Sequence, residues 1–322
     1  MSPPIPPRHD PRPPAGEIPT KNRQRLFGIA LMCCAPVFFA GLDASGKILA
    51  REGVDPLLST FMRYAVNVAL VTAFLNPVTR PGVARTSRPG LQVVRSLLLF
   101  GSTAFNFLAL QHLQLAETVS IQFAAPLCVA LLAGPMLGEW STRTRLAAIL
   151  VGFLGVLVIV RPGVGTMQPA VLFALGNMAC YALYILVTRR LAAFDSSATT
   201  IFYSGLAGLA LMSPLVPWIW RTPESGLAWG MLIGVGLFGT AGHWLLVLAH
   251  ARAPASVLAP FIYTQILWSV GLGWLVFGDV PSPWTLVGAA IIVGSGLLLL
   301  AEDAWRRRLA RTATAAAGAR LP

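Results

Sequence analysis

Charge is what this sequence has least of. Asp, Glu, Lys and Arg make up 11% of its 322 residues, where a soluble domain carries about 25%. The few charges are clustered, and between them run stretches of Leu, Val, Ala, Ile, Phe and Gly. Each stretch is near the ~20 residues that a helix needs to cross hydrocarbon. This excludes a soluble globular domain. Cysteine is scarce too: Cys33, Cys34, Cys128 and Cys180 all lie inside apolar stretches, without a CxxC pair or histidine at metal-ligand spacing. They read as small buried hydrophobes, so neither a metal nor another cofactor is expected. No GxSxG, HExxH or phosphate-binding P-loop motif occurs, which argues against an enzyme and against ATP-driven pumping by this chain alone. The net charge of +12 does not indicate a nucleic-acid partner, because the basic residues sit in short loops between apolar spans and not on one folded face.

What is present is a periodic series of apolar spans, at roughly 26–48, 57–76, 91–110, 115–137, 144–160, 168–188, 199–219, 227–249, 254–277 and 284–301. Residues 1–25, with eight prolines between Pro3 and Pro19 and five basic residues, predict a disordered cytoplasmic tail. Residues 302–322 predict a second basic cytoplasmic tail. Lys and Arg test the span count. With the N-terminus inside, 19 of the 24 fall on the cytoplasmic side, four fall outside (Lys47, Arg51, Arg161 and Arg221), and Arg63 lies within the second span. That bias places both termini of a multi-pass inner-membrane protein in the cytoplasm.

The chain also repeats itself at an offset of 140 residues. FLALQHLQLAETVSIQFAAPLCVALLAGPMLGE (107–139) lies over LVLAHARAPASVLAPFIYTQILWSVGLGWLVFGD, with Ala109 on Ala249, Gly138 on Gly278 and Glu139 on Asp279. LFGIALMCC at residue 26 is matched by LFALGNMAC at 172. Five spans per half is an odd number, so the second copy enters the membrane from the opposite side. Glu139 is then expected at the cytoplasmic face and Asp279 outside. Inverted repeats of this kind build alternating-access transporters, with the substrate site near the midplane between the halves.

Two five-span halves, each with an Ala-rich turn before its fourth span, a Gly-acid pair after it and a glycine-bearing closing helix, together with FMRY in span two, resemble the EamA domains of the drug/metabolite transporter superfamily. The resemblance covers residues 26–160 and 167–301 as two repeats. It implies an all-α integral membrane fold of ten transmembrane helices, arranged as two inverted five-helix repeats. Spans one, three, four, six, eight and nine would line a central cavity, with five and ten at the periphery.

Candidate site residues follow from polarity inside the spans. Asp43 and Lys47 stand four apart in FAGLDASGKILA, about 26 Å along the helix from Leu26. Two readings compete: an ion pair in which Lys47 reaches the outer interface, or a pair of charges at the cavity mouth that meets a zwitterion. In span six, Asn177, Tyr181, Tyr184 and Thr188 share one face of an otherwise apolar helix. That stripe either bonds to neighbouring helices or lines a substrate path. Arg95, Ser102 and Asn106 share a face of span three, and Thr118 and Gln122 a face of span four near Pro126. Spans eight and nine add His243, Trp244, Tyr263, Gln265 and Trp268. Tyr263 and Gln265 are two apart, so at most one of them points squarely into the cavity. Arg63 is expected to reach a neighbouring helix carbonyl or acid in a structural role. His243 and Glu117 are the candidates for proton coupling.

The function these residues predict is a secondary transporter or exchanger of a small polar metabolite, an amino acid or a derivative such as S-adenosylmethionine, across a bacterial inner membrane by alternating access. Its partners are then the small-molecule substrate and the lipid bilayer. The alternatives are a passive solute channel, which needs a continuous polar pore, and a membrane-embedded enzyme of lipid metabolism, which needs convergent acids or histidines.

Overall fold

The computed structural model describes residues 17–75, 79, 81–138, 140, 142–161, 168–253 and 255–318. The regular elements among them are helical: α1 (Glu17–Arg51), α2 (Pro56–Leu75), α3 (Pro89–Leu110), α4 (Leu115–Gln122), α5 (Ala125–Leu137), α6 (Arg143–Val160), α7 (Ala170–Leu191), α8 (Ser197–Met212), α9 (Val216–Ile219), α10 (Gly226–His250), α11 (Ala255–Ile262), α12 (Gln265–Leu272) and α13 (Pro283–Gly318). A π-helical turn, Gly273–Phe277, prolongs α12. Seven helical stretches are long and apolar enough to cross a bilayer, and three shorter apolar helices, Leu146–Val160, Ala198–Met212 and Gln265–Phe277, accompany them.

Helix starts are set locally. Pro89 opens α3, where its missing N–H removes no intrahelical bond. Ser196 accepts the Thr199 N–H at 3.1 Å, Ser225 accepts that of Ala228 at 3.0 Å, and Ser282 that of Thr285 at 3.1 Å. These caps satisfy donors that an apolar surrounding would leave without water.

The termini differ from expectation. Helix α1 begins at Glu17 and α13 runs to Gly318, so residues 17–25 and 302–318, expected in the tails, are helical. Extending an existing helix adds a hydrogen bond for each residue fixed, and the Arg- and Ala-rich stretch after 302 is made of good helix formers. Residues 1–16 and Glu139 lie outside the described residues.

Three of the expected spans are each split into two helices, the seventh into α8 and α9, and the other two splits correspond. Helix α4 ends at Gln122 and α11 at Ile262, and α5 starts at Ala125 and α12 at Gln265. All four positions keep the 140-residue offset. The residues at the two breaks, Phe123 and Tyr263, meet edge to face with ring centroids 5.0 Å apart. Both segments end on a left-handed glycine, Gly138 at φ 75° and Gly278 at φ 71°.

The largest helix interfaces join the two halves of the chain: α1 with α10, α3 with α7, α2 with α10 and with α8, and α6 with α13. In the last pair the backbones touch. A Cβ on Gly155 would sit 2.8 Å from the Gly288 carbonyl oxygen, and one on Gly288 would sit 2.6 Å from that of Gly155. Small residues permit this approach where lipid supplies no hydrophobic drive between helices. With α6 and α13 packed on each other, the remaining helices surround a cavity.

Candidate functional site

The deep part of the cavity, about 130 Å³, centres on Asp43 of α1. Asn106 of α3 donates its Nδ2 to Asp43 Oδ1 at 2.8 Å, and Gln265 of α12 donates its Nε2 to Oδ2 at 3.4 Å. Behind Asn106 the bonds continue in one direction. Asn177 Nδ2 donates to Asn106 Oδ1 at 3.1 Å, and Ser102 Oγ donates to Asn177 Oδ1 at 2.7 Å. The relay Ser102, Asn177, Asn106 therefore ends on a carboxylate, and two halves of the chain meet there. Hydrogen bonds to an ionised acceptor are the stronger kind, and polarised chains reinforce them. Gln122 lines the same space, and its Oε1 is buried without a hydrogen-bond partner.

A second part, about 220 Å³, runs from Arg63 to exposed Ala192 and to Asp195 in the α7–α8 connection. Arg63, Leu99 and His243 line both parts, so the two are one passage. Arg95 is held rigidly here: Nε donates to Thr188 Oγ1 at 2.8 Å, Nη1 to the Thr200 carbonyl at 3.0 Å and Ser204 Oγ at 2.8 Å, and Nη2 to Tyr184 Oη at 2.7 Å. Tyr181 and Tyr184 stack with centroids 5.8 Å apart, a ring surface along the passage. His243 is packed edge-on against Phe39 at 5.1 Å. At the mouth, slight burial pushes the Asp195 carboxyl upward, but donors from Thr86, Gln92 and Ser87 outweigh it and hold it below its ordinary value. Gln92 Nε2 approaches at 2.8 Å and the Ser87 N–H at 3.1 Å.

The other end is latched. Lys47 Nζ pairs with Asp279 and donates to the Leu113 carbonyl at 3.1 Å. Arg51 lies over the Phe277 ring at 4.6 Å, and Gln114 Nε2 reaches the Val280 carbonyl at 3.4 Å. The end of α1 is thereby tied to the segment after α12.

Ten of the residues singled out by polarity line the deep part: Asp43, Arg63, Ser102, Asn106, Gln122, Asn177, Tyr181, His243, Tyr263 and Gln265. Tyr184 lines the outer part. Trp268 is 46% exposed on α12 and lines neither part. Glu117 Oε2 accepts the Gln114 N–H at 3.0 Å and closes a capping box at the start of α4.

Three expectations need correction. The i,i+4 pair of Asp43 and Lys47 does not form, because Asp279 and the Asp43 amide donors offer each charge a nearer partner. Tyr263 and Gln265 both line the cavity, because the helix breaks between them and resets the direction of the second side chain. Arg63 donates to neither a carbonyl nor an acid but to the Thr103 hydroxyl. The cavity also takes walls from spans two and seven, through Arg63, Tyr64 and Asn67 on α2 and Thr200, Ile201 and Ser204 on α8. Arg63 was legible as a basic residue near the middle of a span's sequence with no acid three or four positions away. Thr240 carried no such signal: it lies among glycines on α10 and accepts from Asn67 Nδ2 at 2.9 Å.

Comparison with known proteins places this geometry. The "Riboflavin transporter" of Vibrio cholerae is 27% identical over 274 residues, covering 83% of this chain and 91% of its own. The protein of the same name from Brucella anthropi is 29% identical over 273 residues, covering 81% and 93%. The "S-adenosylmethionine uptake transporter" of Rickettsia felis is 28% identical over 221 residues, covering 68% and 74%. A solved crystal structure shares the fold with a TM-score of 0.57 at 19% identity, over 90% of this chain and 99% of that one. The sequence model of the EamA-like transporter family matches residues 26–161 and 168–301, nearly the two repeats read from the sequence. The chain is therefore a multi-pass membrane protein that belongs to the EamA-like transporter family.

Proposed function

We propose that the protein is a secondary active transporter or exchanger that carries a small polar metabolite across a bacterial inner membrane by alternating access, with the Asp43 cavity as its binding site. One observation carries this reading. The cavity, walled by both halves of the chain, holds the half-buried Asp43 hydrogen-bond network and reaches exposed Ala192 at one end, and its lining does not extend to the Lys47–Asp279 pair that joins α1 to the segment after α12 at the other. A channel would be open at both ends. The matched helix breaks and the pairing of helices across the halves support two inverted five-helix repeats. With both termini cytoplasmic, as the basic residues indicate, the open end faces the cytoplasm.

Relatives named for riboflavin and for S-adenosylmethionine support an organic solute with a ring system. Tyr181 and Tyr184 offer such a ring a flat surface. Counterflow in proteoliposomes tests the mechanism: unlabelled substrate inside accelerates uptake of labelled substrate through a carrier and has no such effect on a channel. Asn106→Ala removes a donor to a charged acceptor, which is equivalent to about 1.5–3 kcal/mol. Counterflow should fall about tenfold or more, with the protein still eluting as a folded species. Unchanged counterflow in both Asn106→Ala and Tyr184→Phe would remove the cavity from the mechanism. The inverted topology has its own test. Trp140 and Val280 are 140 residues apart and 78% and 70% exposed. Cysteines placed there should react with an impermeant thiol reagent from opposite sides of intact cells, and reaction from the same side refutes the inversion.

A further inference from the structure

The two arginines of the cavity have no acid paired with them among the described residues, although Arg63 lies in the electrostatic field of Asp43. Arg63 is 9% exposed, yet the Thr103 hydroxyl is its one hydrogen-bond partner among the described residues. A guanidinium has five N–H donors, so Arg63, which lines both parts of the passage and lies over the Tyr64 ring at 5.5 Å, has donors beyond its bond to Thr103. Arg95 is 3% exposed and bonded to three hydroxyls and a carbonyl, all of them neutral. Neither forms an ion pair among the described residues. The two acids of the same passage are engaged elsewhere, Asp43 by Asn106 and Gln265, and Asp195 by Thr86, Ser87 and Gln92. A buried charge without a counter-ion is expensive to hold.

The opposite polarity gathers at the deep end. There Asp43 has acceptor capacity beyond its two amide donors, since a carboxylate accepts about four hydrogen bonds. Gln122 Oε1 is an acceptor with no donor at all. The cavity thus presents free donors on a cation at one point and free acceptors beside an anion at another, and no side chain bridges them.

We propose that the transported solute is amphoteric, placing an anionic group, carboxylate or phosphate, on Arg63 within the field of Arg95, and an ammonium or N–H group on Asp43 and Gln122. This rests on the carrier reading and narrows it. A solute with only one of the two groups leaves the other pole of the cavity unpartnered, so discrimination comes from the protein's own desolvated charge. Lys47, committed to Asp279, takes no part.

Ligand binding to the purified full-length protein in detergent tests the assignment with no gradient and no translocation. S-adenosylmethionine carries the carboxylate and the ammonium group, decarboxylated S-adenosylmethionine lacks the carboxylate, riboflavin has neither charge, and riboflavin 5′-phosphate adds the anion alone. Thermal-shift titration should rank S-adenosylmethionine at least about tenfold tighter than its decarboxylated form, the ratio that loss of one charge-assisted bond implies. Riboflavin 5′-phosphate should bind more tightly than riboflavin, and equal affinity overturns the phosphate half of the assignment. Arg63→Gln should erase the carboxylate preference and leave affinity for the decarboxylated compound within about twofold, and Arg63→Lys should restore part of it. Equal affinity for both members of the first pair in the wild-type protein overturns the proposal, and so does a lack of binding by every anionic probe. Neither outcome needs a variant to fold. A protein that binds as expected but fails counterflow refutes the carrier reading instead.

Discussion

Helices α4 and α5 and helices α11 and α12 are two versions of one device, an eight-residue helix, a break, and a second helix closed by a left-handed glycine. Their chemistry has diverged. In the first, a capping box of Gln114 and Glu117 fixes the start, Pro126 follows the break, and the glutamine, Gln122, precedes it with a free acceptor. In the second, Gln265 follows the break and bonds Asp43, and the acid beyond the glycine, Asp279, holds Lys47. Symmetry of backbone therefore does not mean symmetry of work. The second copy contacts the central carboxylate and carries the latch, and the first copy frames the cavity and leaves an acceptor for the solute.

Breaking the latch should have the largest effect. Lys47 is 8% exposed, and removing one member of a largely buried pair is equivalent to about 3 kcal/mol. Lys47→Met should lower the melting temperature and reduce counterflow by more than about tenfold, and the swap Lys47→Asp with Asp279→Lys should recover part of both. Failure of the swap together with an unchanged single variant would show that α1 needs no tie to the second break. Next come the two glutamines. Gln265→Leu removes a donor from Asp43 and should weaken ligand binding about tenfold. Gln122→Leu removes an unpartnered acceptor, so it should leave the melting temperature the same or higher while affinity falls by less than in Gln265→Leu. Equal losses of binding would return the two breaks to equivalence.

How much of this was legible follows from the range of each interaction. The spans, the 140-residue offset and the polar face Asn177, Tyr181, Tyr184 and Thr188 were readable because helical period and hydropathy are local. The glycines ending α5 and the π turn were readable because αL geometry selects glycine. Neither helix break was, since Pro126 beyond the first interrupts no run of hydropathy and Ile266 stands at the corresponding place in the second. Nor were the ionic partners. Asp43 and Lys47 invite pairing at i,i+4, but Asp279 is 232 residues from Lys47 and Gln265 is 222 from Asp43. Such contacts depend on how α12 is placed against α1, and no window of sequence contains that. Arg63 showed itself as an anomaly, and its lack of an acid could only be seen once the surrounding helices were in place.

The glycines sharpen the comparison in a smaller way. An L-residue in the left-handed region costs roughly 1–2 kcal/mol, and an added Cβ meets nothing within 4 Å at Gly138 or Gly278. Gly138→Ala and Gly278→Ala should therefore lower stability by the same modest amount if the two copies share their backbone. A clearly larger loss at Gly278, next to Asp279, would mean that the latch also depends on that turn.

The smallest effect belongs to the mouth, where the cavity meets solvent far from either break. The Asp195 carboxyl lies below its ordinary value in the folded protein, so its bonds to Thr86, Ser87 and Gln92 add stability in full above the unfolded pKa of about 3.9. That contribution disappears as pH falls through the folded value. Melting curves of the wild type should lose a small increment below about pH 4 that Asp195→Asn lacks. Because the group is largely exposed, screening keeps the increment small, and binding at the Asp43 end should be the same in both proteins at neutral pH. If Asp195→Asn instead weakens binding as strongly as Gln265→Leu, the mouth acts on the solute directly, and selectivity is not confined to the two poles beside the breaks.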